Sequence, residues 1–333
     1  MMAASQDGEF PFFRVLGKAS RHLTERGPAS FFREVVWRLH YERLQWLKRR
    51  RARRHETVPS AISFQGKEFE LHPSLAGLSE ELLMFGIHEP LATSLYLENL
   101  SPEDHVLDVG ANIGYFPLVA SHAIGPSGRL LGFEPSPDVF EILKRNIQQA
   151  GATNVEVFPW AIGSKRETAQ FYQSEVPNWG SLIHDKSLLH NRSITVEVKR
   201  VDDIVKEFAG FHPTVLRMDV EGGELMVLAG AQEVLRKYKP TLFIEVHTFA
   251  LGWEAVRGAL VGLRDLGYSS GVVIERPWDQ PWMSKWMRER RHWKGTIDKL
   301  LCRMESPKDP LVVATFGLIL RRPASDVCSS PIF

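Results

Sequence analysis

His105-Val106-Leu107-Asp108-Val109-Gly110-Ala111-Asn112-Ile113-Gly114-Tyr115 is the stretch whose reading decides the fold. Val106 to Val109 has the short apolar character of a buried parallel strand. Gly110 and Gly114 break it, and a helical pattern follows through about Ala123. The reading is strand, glycine turn, helix start. Gly110 permits a tight turn and a close approach of a ligand to the main chain. Free amides at the helix start are placed to meet an electron-rich ligand group. Twenty-four residues beyond Gly110, Glu134 closes a second apolar run, Leu130-Leu131-Gly132-Phe133. In a doubly wound sheet an acid there reaches the two hydroxyls of a ribose.

A dinucleotide site needs glycines where this chain has Asn112 and Tyr115, so a bound pyrophosphate would lack its close backbone contact. A ligand with a ribose and no phosphate tolerates both residues. S-adenosylmethionine, adenosine with a methionine tail, is such a ligand. Asp108, Gly110, Asn112 and Gly114 would shape its methionine end, Glu134 would hold the ribose, and Trp160, Ala161 and Ile162 would flank the adenine. The plain alternative is a strand–turn–helix that binds nothing.

Outward from this stretch the chain alternates. Strands are expected at Val106–Val109, Arg129–Glu134, Val155–Ala161, Val215–Asp219 and Leu242–Val246. A helix follows the second strand, with Ser136 as N-cap, Pro137 at its first position and the acids Asp138 and Glu141 early. Others cover about Glu224 to Lys237 and Trp253 to Leu266. Such alternation implies a parallel sheet covered on both faces. Thr168–Gln173 and Ile194–Arg200 read as paired strands around the loop Pro177–Ser181. Gly271–Glu275 and Val312–Leu320 read as strands on either side of an insertion rich in Trp and Arg. Upstream, Ile62–Leu71 alternates on both sides of Gly66, a hairpin signal. Leu78 to Pro90 leads into a helix ending near Leu100.

Ligands of open parallel sheets sit beyond the carboxyl ends of the strands. There the sequence places Asp219 and Glu221 after the fourth strand, and Glu245 and His247 at the fifth. Three readings compete for this group: a polar cluster that ties loop ends together, a metal site of carboxylates and one imidazole, and general-base chemistry on an acceptor hydroxyl. The last is adopted, with no metal. His247 is the base by intrinsic pKa, Glu245 orients its imidazole, and Asp219 or Glu221 holds the acceptor.

His105–Gly114, Phe133-Glu134-Pro135, Asn146-Ile147, Asn154-Val155 and Ala161-Ile162-Gly163 resemble the FkbM-type methyltransferases. So do Met218-Asp219-Val220-Glu221-Gly222-Gly223-Glu224, with Leu228, Gly230 and Ala231 after it, and Glu245-Val246-His247. The resemblance spans about residues 78–275. It implies dependence on S-adenosylmethionine and a class I methyltransferase fold. That fold is α/β, with a doubly wound, mostly parallel, Rossmann-like sheet of seven strands ending in a reversed hairpin. It also implies O-methylation of a hydroxyl on a sugar, glycan or other secondary metabolite. Arg217-Met218 and Gly222-Gly223 replace the Lys-Ile and Gly-Ala usual in the family. The rival from another class is a non-catalytic nucleotide-binding or interaction protein on the same fold.

The chain has 333 residues, with 44% hydrophobic and 24% charged, the balance of an ordinary globular protein. Cys302 and Cys328 form no framework and no cysteine-rich zinc site. No signal peptide and no spanning segment is read; the longest apolar run, Leu311–Leu320, is shorter than the about 18 residues required. A cytoplasmic location is expected. Charge is uneven: residues 1–60 hold thirteen Lys/Arg and six Asp/Glu, a balance of +7, and the remainder holds 28 and 34, a balance of −6. A basic helix is expected from about Ala29 to Arg54. It suits a peripheral contact with an anionic membrane, or packing on its own domain or on a partner subunit. No base-reading module is present, so nucleic acid is not an expected partner.

The expected organisation is a basic helical arm and hairpin over 1–77, a methyltransferase domain over 78–325 and a loose tail over 326–333. The insertion, 276–310, carries Trp282, Trp286 and Trp293 at helical spacing, with Trp278 and many basic residues nearby. This face would either pack on the domain or wall the site of an acidic glycan acceptor.

Overall fold

The computed structural model describes residues 60–174, 180–183, 190–276, 291–306, 309, 311 and 315–321. The basic helix at 29–54, Pro177–Trp179, Trp278, Trp282, Trp286 and the tail lie outside the described residues. All three sheets and the candidate site belong to the unit that begins at Ala61.

That unit opens with a hairpin, β1 (Ala61–Phe64) and β2 (Lys67–Glu70), turned at Gln65-Gly66 as the alternation predicts. Leu78–Phe85, read as a lead-in, is itself a helix, α1. It stops at Gly86 in the left-handed conformation, and α2 (Pro90–Glu98) starts after it. Then come β3 (His105–Val109), α3 (Tyr115–Ile124), β4 (Arg129–Phe133) and α4 (Pro137–Ala150). Val139, Phe140, Ile142, Leu143 and Ile147 form the buried stripe of α4. Ser136 stands at the N-cap, but its hydroxyl makes no cap bond and accepts instead from Gln173 Nε2 at 2.8 Å.

The expected strand Val155–Ala161 is broken. β5 (Val155–Phe158) joins the main sheet, while β6 (Ala161–Ile162) pairs in a second, three-stranded sheet with β7 (Glu167–Ser174) and β8 (His190–Lys199). Pro159 lies at the break, where it removes a ladder donor. After α5 (Val201–Glu207) and β9 (Val215–Met218), the single helix expected over 224–237 is two, α6 (Glu224–Gly230) and α7 (Gln232–Lys237). A side-chain carbon on Gly230 would lie 2.1 Å from the Gly163 carbonyl, so the chain passes too close to β6 there for any other residue. The first amides of α7 are met from outside: Asp202 on α5 accepts from Glu233 N and Val234 N, both at 3.0 Å.

β10 (Thr241–His247), α8 (Thr248–Leu251), α9 (Trp253–Asp265), β11 (Ser270–Arg276), β12 (Arg291–Thr296), α10 (Ile297–Arg303) and β13 (Thr315–Leu320) complete the unit. The main sheet has the order β12-β11-β13-β10-β9-β3-β4-β5. β5, β4, β3, β9 and β10 are parallel, and β13 runs antiparallel between β10 and β11. These are the seven strands of the expected fold, reversed hairpin included. An eighth, β12, is added at the edge from the insertion. Trp293 therefore stands on a strand opposite Val273, not on a helix shared with Trp282 and Trp286. Its indole donates to Glu275 Oε1 at 3.0 Å and lies beneath the Arg303 guanidinium. That tryptophan packs on its own domain.

A buried amide helps bind the hairpin to the body, beside the Arg145–Glu70 ion pair. Asn146 of α4 is fully buried. Its Oδ1 accepts from Glu70 N at 2.6 Å, and its Nδ2 donates to the carbonyls of Glu70 at 3.0 Å and Ile113 at 2.8 Å. One side chain thus joins β2, α4 and the glycine turn. Among the described residues no helix is long and apolar enough to cross a membrane.

Candidate functional site

The carboxyl ends of β3, β4 and β9 surround an open cleft of about 850 Å³. Of the residues predicted to hold a cofactor, Gly110, Asn112, Glu134, Trp160, Ala161 and Ile162 line it; Asp108 and Gly114 do not. Gly114 is the N-cap of α3 and packs toward Leu143. Asp108 is buried under the cleft floor and bonded to Arg217.

The turn after β3 differs from its expected use. Gly110 N and Ala111 N both donate to the Phe133 carbonyl at 3.0 Å, and Asn112 N donates to Glu134 Oε2 at 3.1 Å. These amides are occupied by the end of β4 and are not free for a ligand. Nor is the ligand the close neighbour of Gly110. A side-chain carbon there, at φ +83°, would sit 2.1 Å from the Asp219 carbonyl. The glycine lets β9 end against the turn and so places Asp219.

Glu134 is where the turn delivers its order. Oε2 accepts from Asn112 N, and Oε1 accepts from Ser136 N at 2.9 Å. Each carboxylate oxygen keeps a second lone pair. Burial pushes the carboxyl up to about 7, against the two backbone donors, which pull it down. Beside it the Pro159 break places Trp160 at the cleft. The indole stacks on Phe158 with centroids 4.5 Å apart and carries the Lys199 ammonium 3.5 Å over its ring. Phe171 and Leu182, from around the small sheet, close this side of the cleft.

Arg217, noticed in the sequence only as a departure from the family, is the cation of the floor. Nη1 meets Asp108 Oδ1 at 2.7 Å and Nη2 meets Asp219 Oδ2 at 3.4 Å. The guanidinium lies 3.9 Å from the Phe116 ring centre. Burial raises the Asp108 carboxyl, and the Arg217 charge only partly offsets it.

Asp219, Glu221, Glu245 and His247 converge as predicted, but their bonding differs. His247 is buried, with Nδ1 2.7 Å from Glu224 Oε1 and Nε2 3.0 Å from Glu221 Oε2. Glu245, expected to orient the ring, stands farther off at 3.8 Å. Glu224 is the orienting group, and its sequence signal is weak because an acid in the first turn of a helix is ordinary. Burial would lower the imidazole pKa. The charges of Glu221 and Glu224 outweigh it and hold the ring well above its usual value. At neutral pH this histidine is an imidazolium with both nitrogens engaged, a poor base. Asp219 is the member of the group that borders both the cleft and a second cavity of about 420 Å³ beside β10 and β13. Glu221 takes φ +49°, a left-handed conformation that turns the chain back toward His247.

The fold and this site define a class I methyltransferase-type sheet with its ligand cleft at the strand ends. Residues 108–270 match the model of the Methyltransferase FkbM domain. This span of the chain is an FkbM-type methyltransferase domain, the family its motifs resemble. Methyltransferase sdnD of Sordaria araneosa is 28% identical over 166 residues, covering 41% of this chain and 64% of the relative. Hexuronic acid methyltransferase AglP of Haloferax volcanii is 29% identical over 153 residues, covering 46% and 60%. The chain thus spans under two thirds of the length of these two relatives. 31-O-demethyl-FK506 methyltransferase FkbM of Streptomyces tacrolimicus is 29% identical over 202 residues, covering 53% and 71%. Among solved structures, a methyltransferase FkbM of Methylobacillus flagellatus is similar at 20% identity. That match covers 53% of this chain and 37% of the other, with a TM-score of 0.33.

Proposed function

We propose that this protein transfers a methyl group from S-adenosylmethionine to a hydroxyl of a sugar, glycan or other secondary metabolite. The observation that carries the reading is Glu134. Its two oxygens are fixed by two backbone amides at the edge of a cleft, and the neighbouring turn has Asn112 where a dinucleotide site needs glycine, which suits a ribose without pyrophosphate. Trp160, Ala161 and Ile162 then border the adenine, and Gly110 and Asn112 the methionine end. Asp108 contributes through Arg217. The acceptor enters from the second cavity and meets the methyl group beside Asp219.

The reaction is an in-line displacement. A lone pair of the acceptor oxygen forms the new bond to the methyl carbon. The carbon–sulfur pair stays on sulfur, which becomes a neutral thioether, and the hydroxyl proton is lost to Asp219. Positioning supplies most of the acceleration, up to roughly 7–11 kcal/mol in favourable systems. A base adds about a hundredfold or more. Glu221, Glu224, Glu245 and His247 hold the wall against which the acceptor lies.

The relatives named as a hexuronic acid methyltransferase and a 31-O-demethyl-FK506 methyltransferase support an oxygen acceptor. The test is titration calorimetry of the full chain with S-adenosylhomocysteine, NAD and ATP. Saturable binding of S-adenosylhomocysteine alone, weakened in Glu134→Ala, is expected. Equal binding of NAD, or wild-type affinity in the variant, would reject the ribose assignment. Transfer of labelled methyl into sugar acceptors then separates an enzyme from a nucleotide-binding scaffold.

A further inference from the structure

We infer that Asp219, Glu245 and His247 form a binding site for a divalent cation of the manganese class. One donor atom from each lies within 4.8 Å of the others, a separation a small ion closes by side-chain rotation alone. Glu221 Oε2 faces His247 Nε2 at 3.0 Å and supplies a fourth ligand, the third oxygen of the set. The histidine is built as metal ligands are built. Its far nitrogen, Nδ1, is held at 2.7 Å by Glu224, a carboxylate with 1% exposure, which fixes the ring and aims Nε2 at the three other carboxylates. The second oxygen of Glu224 is buried without a hydrogen-bond partner among the described residues. A carboxylate anchored so deeply on one histidine nitrogen gains most when the opposite nitrogen carries positive charge. An ion on Nε2, in place of its proton, supplies that charge. Carboxylate oxygens with one imidazole are the donor set of manganese and related ions rather than of thiolate-seeking metals.

Position supports the assignment. Asp219 borders both the cofactor cleft and the cavity beside β10 and β13, and Glu245 borders that cavity. An ion between them stands where a hydroxyl from the second cavity would approach a group held in the first. It would bind that oxygen and favour loss of its proton. The nearest guanidinium, Arg217, is shared between the buried Asp108 at 2.7 Å and Asp219 at 3.4 Å, so the carboxylates of the site still outnumber its cations. The role of the ion rests on the methyl-transfer reading; its binding does not.

The probe is Mn²⁺ alone, added to chelator-treated full-length protein and followed by calorimetry and by the loss of the free-ion paramagnetic resonance signal. One ion per chain is expected. His247→Gln and Glu245→Gln should each weaken binding at least tenfold, while S-adenosylhomocysteine affinity stays within about twofold. Asp219→Asn, at a more open position, serves if the buried variants melt early, and it should show the same loss. Surface Glu207→Gln should change nothing. No saturable binding by folded wild type, or binding indifferent to all three substitutions, overturns the site. Manganese binding without S-adenosylhomocysteine binding would leave the site standing and bring down the cofactor reading. The reverse result would remove the ion and keep the cofactor.

Discussion

Glu134 carries a pH dependence whose sign follows from its environment. Its carboxyl titrates at about 7 in the folded chain, raised from an ordinary 4.5 by burial. The ligand-free protein therefore favours the neutral form. The stability linked to this group is full below about pH 4.5 and is lost as pH rises through 7. Ribose hydroxyls donate to the ionised form and oppose that trend. Affinity for S-adenosylhomocysteine should then rise about tenfold between pH 6 and pH 8 as the ionised fraction grows, with protons released on binding below pH 7. Calorimetry in buffers of different ionisation enthalpy measures both. Glu134→Gln should flatten the profile; a wild-type profile that is already flat would count against the assignment. Arg217 makes a second residue-scale case. Replacing it with Met leaves Asp108 buried without its guanidinium, a loss of about 3–5 kcal/mol by chemical denaturation. The paired change Arg217→Met with Asp108→Asn should recover part of it.

At the scale of elements, single polar atoms set where whole segments sit. Asp202 of α5 caps α7 with two backbone bonds, although the bonded residues are 31 and 32 positions apart in sequence. Asp202→Ala should cost about 1–3 kcal/mol and lower the melting temperature by several degrees without changing ligand affinity. Asn146 does the same for the β1–β2 hairpin, offering Glu70 a donor and an acceptor as a neighbouring strand would. Asn146→Leu should speed amide exchange at Glu70 and nearby, measured by hydrogen–deuterium exchange, before it affects the central strands. Gly110 belongs at this scale too. Its substitution by Ala would push β9 off the turn, so loss of fold and loss of Asp219 placement should arrive together.

Across the whole molecule, charge divides the chain into a basic first sixty residues and an acidic remainder. We propose that these first residues dock the protein and take no part in ligand binding by the body. Deleting residues 1–56 should leave S-adenosylhomocysteine affinity within about twofold. Sedimentation with vesicles containing phosphatidylserine should fall on deletion and with added salt, since such attraction decays over about 8–10 Å at physiological ionic strength. Vesicle binding that survives deletion would place the contact on the body. The strands of the main sheet and the strand ends that carry the site were legible in the sequence. Buried parallel strands are nearly continuous apolar runs, and the glycine turn with an acid about one strand–helix unit later has a fixed spacing. The hairpin at Gly66 was legible from its alternation around a glycine, while the reversed pair at the end followed from the family resemblance. Contacts between segments far apart in the chain leave no such trace. Pro159 breaks a strand, yet nothing local says that the far half joins a different sheet. Trp293 has helical spacing from its neighbours, yet the open edge of β11 takes it as a strand. The turn amides look free until the end of β4 is brought against them. His247 reads as a base by its intrinsic pKa, and only the packing of Glu221 and Glu224 on its two nitrogens makes it a held cation or a metal ligand. Periodicity and turn chemistry are local and written in order along the chain. Burial, charge pairing and close backbone approach depend on what folding brings alongside, and tertiary structure alone decides them.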